Sequence, residues 1–143
     1  MINKNLIFLE LNEINFDIVK SYINSGKSLS GFEKIINGKF ITTTSENSYD
    51  LLEPWIQWAS VHTGKTFLEH NLFRLGDVES SNQKQIFEHI ESKGFSVGAV
   101  SPMNATNNLK KPAFFIPDPW TKTQPDENII SKMTHDFLSQ SVN

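Results

Sequence analysis

Cysteine is absent from the 143-residue chain, which rules out disulfides, thiolate metal sites and a cysteine nucleophile. The absence fits a reducing compartment. Arginine occurs once, as Arg74, so bidentate clamps on phosphate are scarce and this position stands out. Positive charge is in deficit: Lys and Arg total 13 against 16 Asp and Glu, with a formal net charge of −3 and a pI near 5.8. That balance argues against a binder of nucleic-acid polymer, which needs a basic face to neutralise phosphates. Long apolar runs are missing too. Residues 6–9 form the longest one at the N-terminus, broken by Glu10 and Asn12, and it is too short for a signal-peptide core or a membrane span. The expected location is cytoplasmic, or peripheral to a membrane.

What is present reads as alternating strands and helices. Residues 5–11 are an apolar run with polar flanks, the pattern of a buried parallel strand, and they lead into the polar cluster Glu10-Leu11-Asn12-Glu13-Ile14-Asn15. Asn15 suits the cap of a helix with Ile18, Val19, Tyr22 and Ile23 on its inner side and Gly26 as its stop. Ser30 and Glu33 have capping-box spacing for a second helix closed by Gly38. Residues 40–44 are rich in β-branched side chains and predict a short strand, followed by a polar loop over 45–50. Pro54 fits the first position of a helix, where its missing N–H costs nothing. Trp55, Trp58, Ala59 and His62 then recur at helical spacing up to Gly64.

Residues 65–81 form a connection with little periodicity. An amphipathic helix is predicted over 82–93, carried by Ile86, Phe87 and Ile90 and stopped by Gly94, and a second strand over 95–100. Residues 111–120 hold three prolines around Phe114, Phe115 and Ile116, an edge strand or a packed extended loop. A terminal helix is predicted over 126–138, with Ile129, Ile130, Met133 and Phe137 on one side. No repeat, low-complexity segment or linker divides the chain, so a single α/β domain over 1–143 is expected. Strand, helices, strand is the order of a mostly parallel sheet with helices on both faces. Ligands of such sheets sit beyond the carboxyl ends of the strands, here residues 10–15 and 101–104. The expectation is one anion pocket fed by both strand tips and by the head of the Pro54 helix.

The order of parts resembles the N-terminal half of the alkaline phosphatase superfamily, in particular its type I phosphodiesterase/nucleotide pyrophosphatase and sulfatase-like branch. The likeness is carried by residues 6–14, by Ser60-Val61-His62-Thr63-Gly64, by Glu69-His70-Asn71 and by residues 86–100. It implies an alkaline phosphatase-like fold, incomplete here, with residues 1–143 as the N-terminal portion of a larger catalytic domain. The activity implied is metal-dependent hydrolysis of a phosphoester or sulfoester, with divalent ions as cofactors, zinc first and magnesium or manganese next. In that family the first strand ends in a metal-binding aspartate. The matching place here is Asn12, with Glu10 two residues earlier, and these two are the expected metal residues. The family's nucleophile stands nine residues before the Thr of Thr-Gly, which here is Pro54, a residue with no nucleophilic group. The neighbouring Glu53 therefore takes the catalytic expectation.

Each candidate has a plainer reading. Glu10, Asn12 and Glu13 also make an ordinary polar turn, although a Glu in an apolar strand is costly to bury alone. Glu53 before a helix start also favours the helix dipole. Trp55, Trp58 and His62 suit a core. His70 is expected to contact substrate, or to shape its loop as the resemblance implies. His89 and His135 suit a helix surface. Arg74 is expected to meet a phosphate or sulfate, or else to pair with Asp77. Asn104 and Asn107 line a cleft or follow turn chemistry.

The partners expected are a small-molecule phosphate or sulfate ester, together with a second copy of the chain or a missing C-terminal half. Proline in the nucleophile place and an amide in the aspartate place favour an alternative: a degenerate relative that binds a nucleotide, sugar phosphate or glycan without turnover. A structural or interaction domain is the third reading.

Overall fold

The computed structural model describes residues 5–39 and 41–142. The chain is mixed α/β and divides into two compact units, Met1–Thr44 and Ser45–Asn143.

In the first unit the helices follow the local chemistry. Helix α1 (Phe16–Asn24) starts where Asn15 Oδ1 accepts the N–H groups of Asp17 and Ile18 at 3.0 and 3.1 Å. Helix α2 (Ser30–Ile36) starts at Ser30 itself, with Leu29 in the cap position, so the Ser30/Glu33 box does not form and Glu33 Oε1 accepts the Leu29 N–H at 3.4 Å instead. The Phe16 and Phe32 rings meet edge to face at 6.5 Å. The predicted strand over 5–11 does not form, and Leu6 is 82% exposed. A parallel strand needs neighbours to take its N–H and C=O groups, and no described residue of this unit lies in a strand. Of the strand predicted over 40–44, Phe40 lies outside the described residues and 41–44 have no regular structure.

The second unit holds the sheet. Helix α3 (Pro54–Thr63) has Pro54 in its first turn and ends on Gly64 in the left-handed region at φ 67°. Helix α4 (Phe67–His70) is set by a reciprocal box in which Thr66 and Glu69 cap each other's backbone. The same device, made by Gln85 and Glu88, starts α5 (Ile86–Ser92) later than periodicity suggested. Strands β1 (Gly98–Val100) and β2 (Phe114–Ile116) pair in parallel, with Ala99 opposite Phe115.

The crossover between the strands, residues 101–113, carries no helix. It packs through buried Ala105 and Thr106 instead. The main core joins Phe87, Val97, Ala99, Ala105 and Phe115, with the Phe87 and Phe115 rings edge to face at 5.7 Å. Ala59, Leu72 and Val78 form a second cluster.

Asp126 extends the edge of β2. Its carboxylate accepts the Phe115 N–H and its own N–H donates to the Phe115 carbonyl at 3.0 Å. This covers the open backbone of a strand edge. Helix α6 (Ile129–Ser139) follows, but its apolar side faces outward: Ser131 is its buried residue, while Phe137 is 73% exposed. Among the described residues no helix is long and apolar enough to cross a membrane.

Candidate functional site

The second unit carries a shallow pocket of about 290 Å³ lined by Asp50, Glu53, Trp55, Phe73, Arg74 and Leu75. Local folding explains its composition. A 3-10 turn over Tyr49–Leu51 presents Asp50. Glu53 takes the extended cap conformation before α3, and Trp55 follows in the first helical turn. The opposite wall is the loop after α4, which turns through Asn71 at φ 53°.

One hydrogen bond ties that loop to α3, and three more shape it locally. The Trp55 indole Nε1–H donates to the Phe73 carbonyl at 3.1 Å. Asp77 Oδ2 accepts the N–H groups of Phe73 and Arg74 at 3.1 and 2.7 Å. His70 Nδ1 accepts the Leu72 N–H at 3.0 Å. The Asp77 carboxylate is thus engaged with the main chain, and the ion pairs found among the described residues do not include the Arg74 guanidinium. That group is exposed at the pocket wall beside two aromatic rings.

Two expected site residues, Glu53 and Arg74, are therefore brought together. Two others stand behind the pocket instead of lining it. His70 is 3% exposed, and its Nε2 lies 2.9 Å from Ser60 Oγ. Because Nδ1 accepts from Leu72, the ring proton sits on Nε2 and is donated to Ser60. Burial is the largest influence on this imidazole and pushes its pKa below the ordinary histidine value, while Glu46 and Glu69 pull it upward and Lys65 pulls it down.

Asn104 is fully buried. Its Oδ1 accepts the Gly76 N–H at 3.0 Å and its Nδ2 donates to the Trp55 carbonyl at 3.0 Å. It braces both walls from beneath. Its own N–H donates to Asp118 at 2.8 Å.

Glu10 and Asn12 belong to the first unit. Glu10 is half-buried and Asn12 exposed. Among the described residues no group of three or more His, Asp or Glu could hold a metal ion. Asn107 borders a different depression, of about 500 Å³, beside the start of α6.

Several residues of this region escaped the sequence reading. Asp50, Phe73 and Leu75 line the pocket, and the signal available was an aromatic and an aliphatic residue flanking the lone arginine. Asp118 is buried and accepts from Asn104, Trp120 and Thr121. Burial pushes its carboxyl above the usual range, and those hydrogen bonds pull the other way. Its place between Pro117 and Pro119 was the available sign of a turn built on a side-chain acceptor.

Comparison with known proteins finds no matching family model, no matching curated protein and no matching solved structure. None of these comparisons indicates the alkaline phosphatase superfamily, which stays an expectation from the order of motifs in the sequence.

Proposed function

We propose that the chain is a binding domain for a small phosphate- or sulfate-bearing ligand of the nucleotide or sugar phosphate class, held without turnover in the Arg74 pocket. The observation that carries this reading is the sole arginine of the chain standing in one pocket with Trp55 and Phe73. A guanidinium offers a planar fork to an anion, and aromatic walls accept the flat face of a base or the apolar face of a sugar. Asp50 and Glu53 repel a second anion but accept hydroxyl or amino protons, so a ligand with a polar, donor-rich body and one anionic end fits the pocket's charges.

The hydroxyl chemistry nearby supports a reading without turnover. Pro54 offers no nucleophile, and the proton on His70 Nε2 prevents that nitrogen from taking the Ser60 proton, as a nucleophile–base pair requires. A second reading, metal-dependent hydrolysis of a phosphoester or sulfoester, is favoured by the carboxylate pair Asp50 and Glu53 beside Arg74. It requires metal ligands beyond Glu10 and Asn12. The alkaline phosphatase-like sheet, of which the β1–β2 pair would be one part, and the cytoplasmic location belong to the same proposal.

The test is calorimetric titration with AMP, glucose 6-phosphate and p-nitrophenyl sulfate, with aryl phosphate, diester and sulfate hydrolysis assayed in zinc, magnesium and manganese. Saturable binding lost in Arg74→Gln, with no product, is the expected result. Turnover with any of the ions would replace this reading with the hydrolytic one, and binding unchanged by Arg74→Gln would remove the pocket from both.

A further inference from the structure

We propose that His70 is the positioning residue of the Arg74 pocket and holds the loop only while it is neutral, so that mild acid releases Phe73 and Arg74. The inference rests on reading that pocket as the ligand site. Its basis is a single acceptor. Nδ1 of His70 receives the N–H of Leu72 at 3.0 Å, and the next two residues are the pocket residues Phe73 and Arg74. A proton on Nδ1 turns the acceptor into a donor and sets one N–H against another. Nε2 offers no relief, because it already faces Ser60 Oγ at 2.9 Å.

The surroundings make the protonated ring a poor fit. The imidazole and the Phe67 ring stand at 89° to each other with centroids 5.8 Å apart, and the imidazole is almost wholly buried. The ionisable groups acting on it are Glu46 from the loop before α3, Lys65 after that helix and Glu69 on α4. Glu69 is occupied with the N–H and hydroxyl of Thr66 at 2.8 Å each, and Glu46 with the Phe67 N–H at 2.8 Å. These bonds engage Oε2 of Glu69 and Oε1 of Glu46, and neither carboxylate is hydrogen-bonded to the imidazole. Charging the ring is therefore relieved by letting the Leu72 backbone move away. The loop is entered through Asn71 at φ 53°, a conformation that non-glycine residues keep only when neighbours hold it.

Trp55 reports this motion without any ligand, since its indole N–H donates to Phe73, the residue after Leu72. The experiment follows the Trp55 indole N–H and the His70 ring by NMR from pH 8 to pH 5. The affinity for p-nitrophenyl sulfate, whose charge is constant over this range, is measured in parallel. Expected are an indole shift that tracks His70 protonation and a several-fold loss of affinity at the acid end. His70→Asn keeps an acceptor near the Nδ1 position but does not titrate, and it should hold both signals flat.

An indole resonance that does not move with His70, or that titrates equally in His70→Asn, overturns the proposal. If His70→Asn does not fold, coincidence of the two titrations in the wild-type protein decides the matter alone. A coupled indole shift without any sulfate binding upholds the gate while removing the ligand reading of the pocket.

Discussion

The Asn104 carboxamide donates to the Trp55 carbonyl at 3.0 Å, joining two residues 49 positions apart in the chain. Its oxygen takes the Gly76 N–H, so one side chain sets the separation of the two pocket walls. Removing it in Asn104→Ala leaves the Gly76 amide without its partner and takes one hydrogen bond from the Trp55 carbonyl, which lies within α3. We expect a loss of about 2 kcal/mol, within the range for orphaned buried groups. Asn104→Asp should be worse, because it sets a carboxylate oxygen against the Trp55 carbonyl. Urea midpoints of the three proteins check the order, and an Asn104→Asp as stable as wild type would refute the bracing role.

The pH dependence of stability has a definite sign at His70. Its folded-state pKa lies below the ordinary 6.5, with burial as the main cause. Between the two values the unfolded chain binds more protons than the folded one. The stability that depends on neutral His70 is therefore present above pH 6.5 and lost as pH falls through the depressed folded-state pKa. Thermal denaturation of wild type and His70→Asn from pH 8 to pH 5 isolates this contribution, because the carboxylates titrate in both. The expected result is a steeper acid loss in wild type, and parallel curves would refute it.

Local chemistry was legible in the sequence wherever the deciding partners are neighbours in the chain. Pro54 and Gly64 bracket α3 as expected, and Asn15 caps α1. The mixed α/β class also follows from pattern, and of the two alternatives that pattern leaves open for residues 111–120 the strand forms, at Phe114–Ile116. Long-range facts were not legible. Periodicity identifies the apolar side of α6 but not whether anything covers it, and Ile129, Ile130, Met133 and Phe137 prove exposed. Residues 5–11 carry a strand's composition, yet a strand exists only with a partner. For the site, Arg74 stood out as the lone arginine and Glu53 as a cap residue, and they share a pocket. The bracing role of Asn104 depends on Trp55 and Gly76, which spacing does not reveal.

A Cβ at Gly98 would come closer to Cζ of the Phe114 ring than van der Waals contact allows, so alanine there requires that ring to move. Gly98→Ala should destabilise by about 1–3 kcal/mol, the range for overpacking. Phe114 is only partly buried, so its ring can be removed at modest cost. A double-mutant cycle with Phe114→Ala should cancel most of the Gly98→Ala penalty. Additive penalties in denaturant titrations would show that the glycine is required for another reason.

Arg74 is the sharpest test of the pocket. A guanidinium gripping an oxyanion through two N–H groups contributes charge-assisted hydrogen bonds of about 1.5–3 kcal/mol each, and lysine reproduces the charge without the fork. Arg74→Lys should therefore weaken binding of p-nitrophenyl sulfate about tenfold, and Arg74→Gln further. Asp77 accepts the main-chain N–H of Arg74, not its side chain, so Asp77→Asn should weaken binding by loosening the loop while the salt-dependent attraction of the anion to the guanidinium persists. Arg74→Gln should flatten that salt dependence, because the charge itself is gone. Calorimetric titrations at two ionic strengths separate the cases, and a salt dependence unaltered in Arg74→Gln would mean that the anion is held elsewhere.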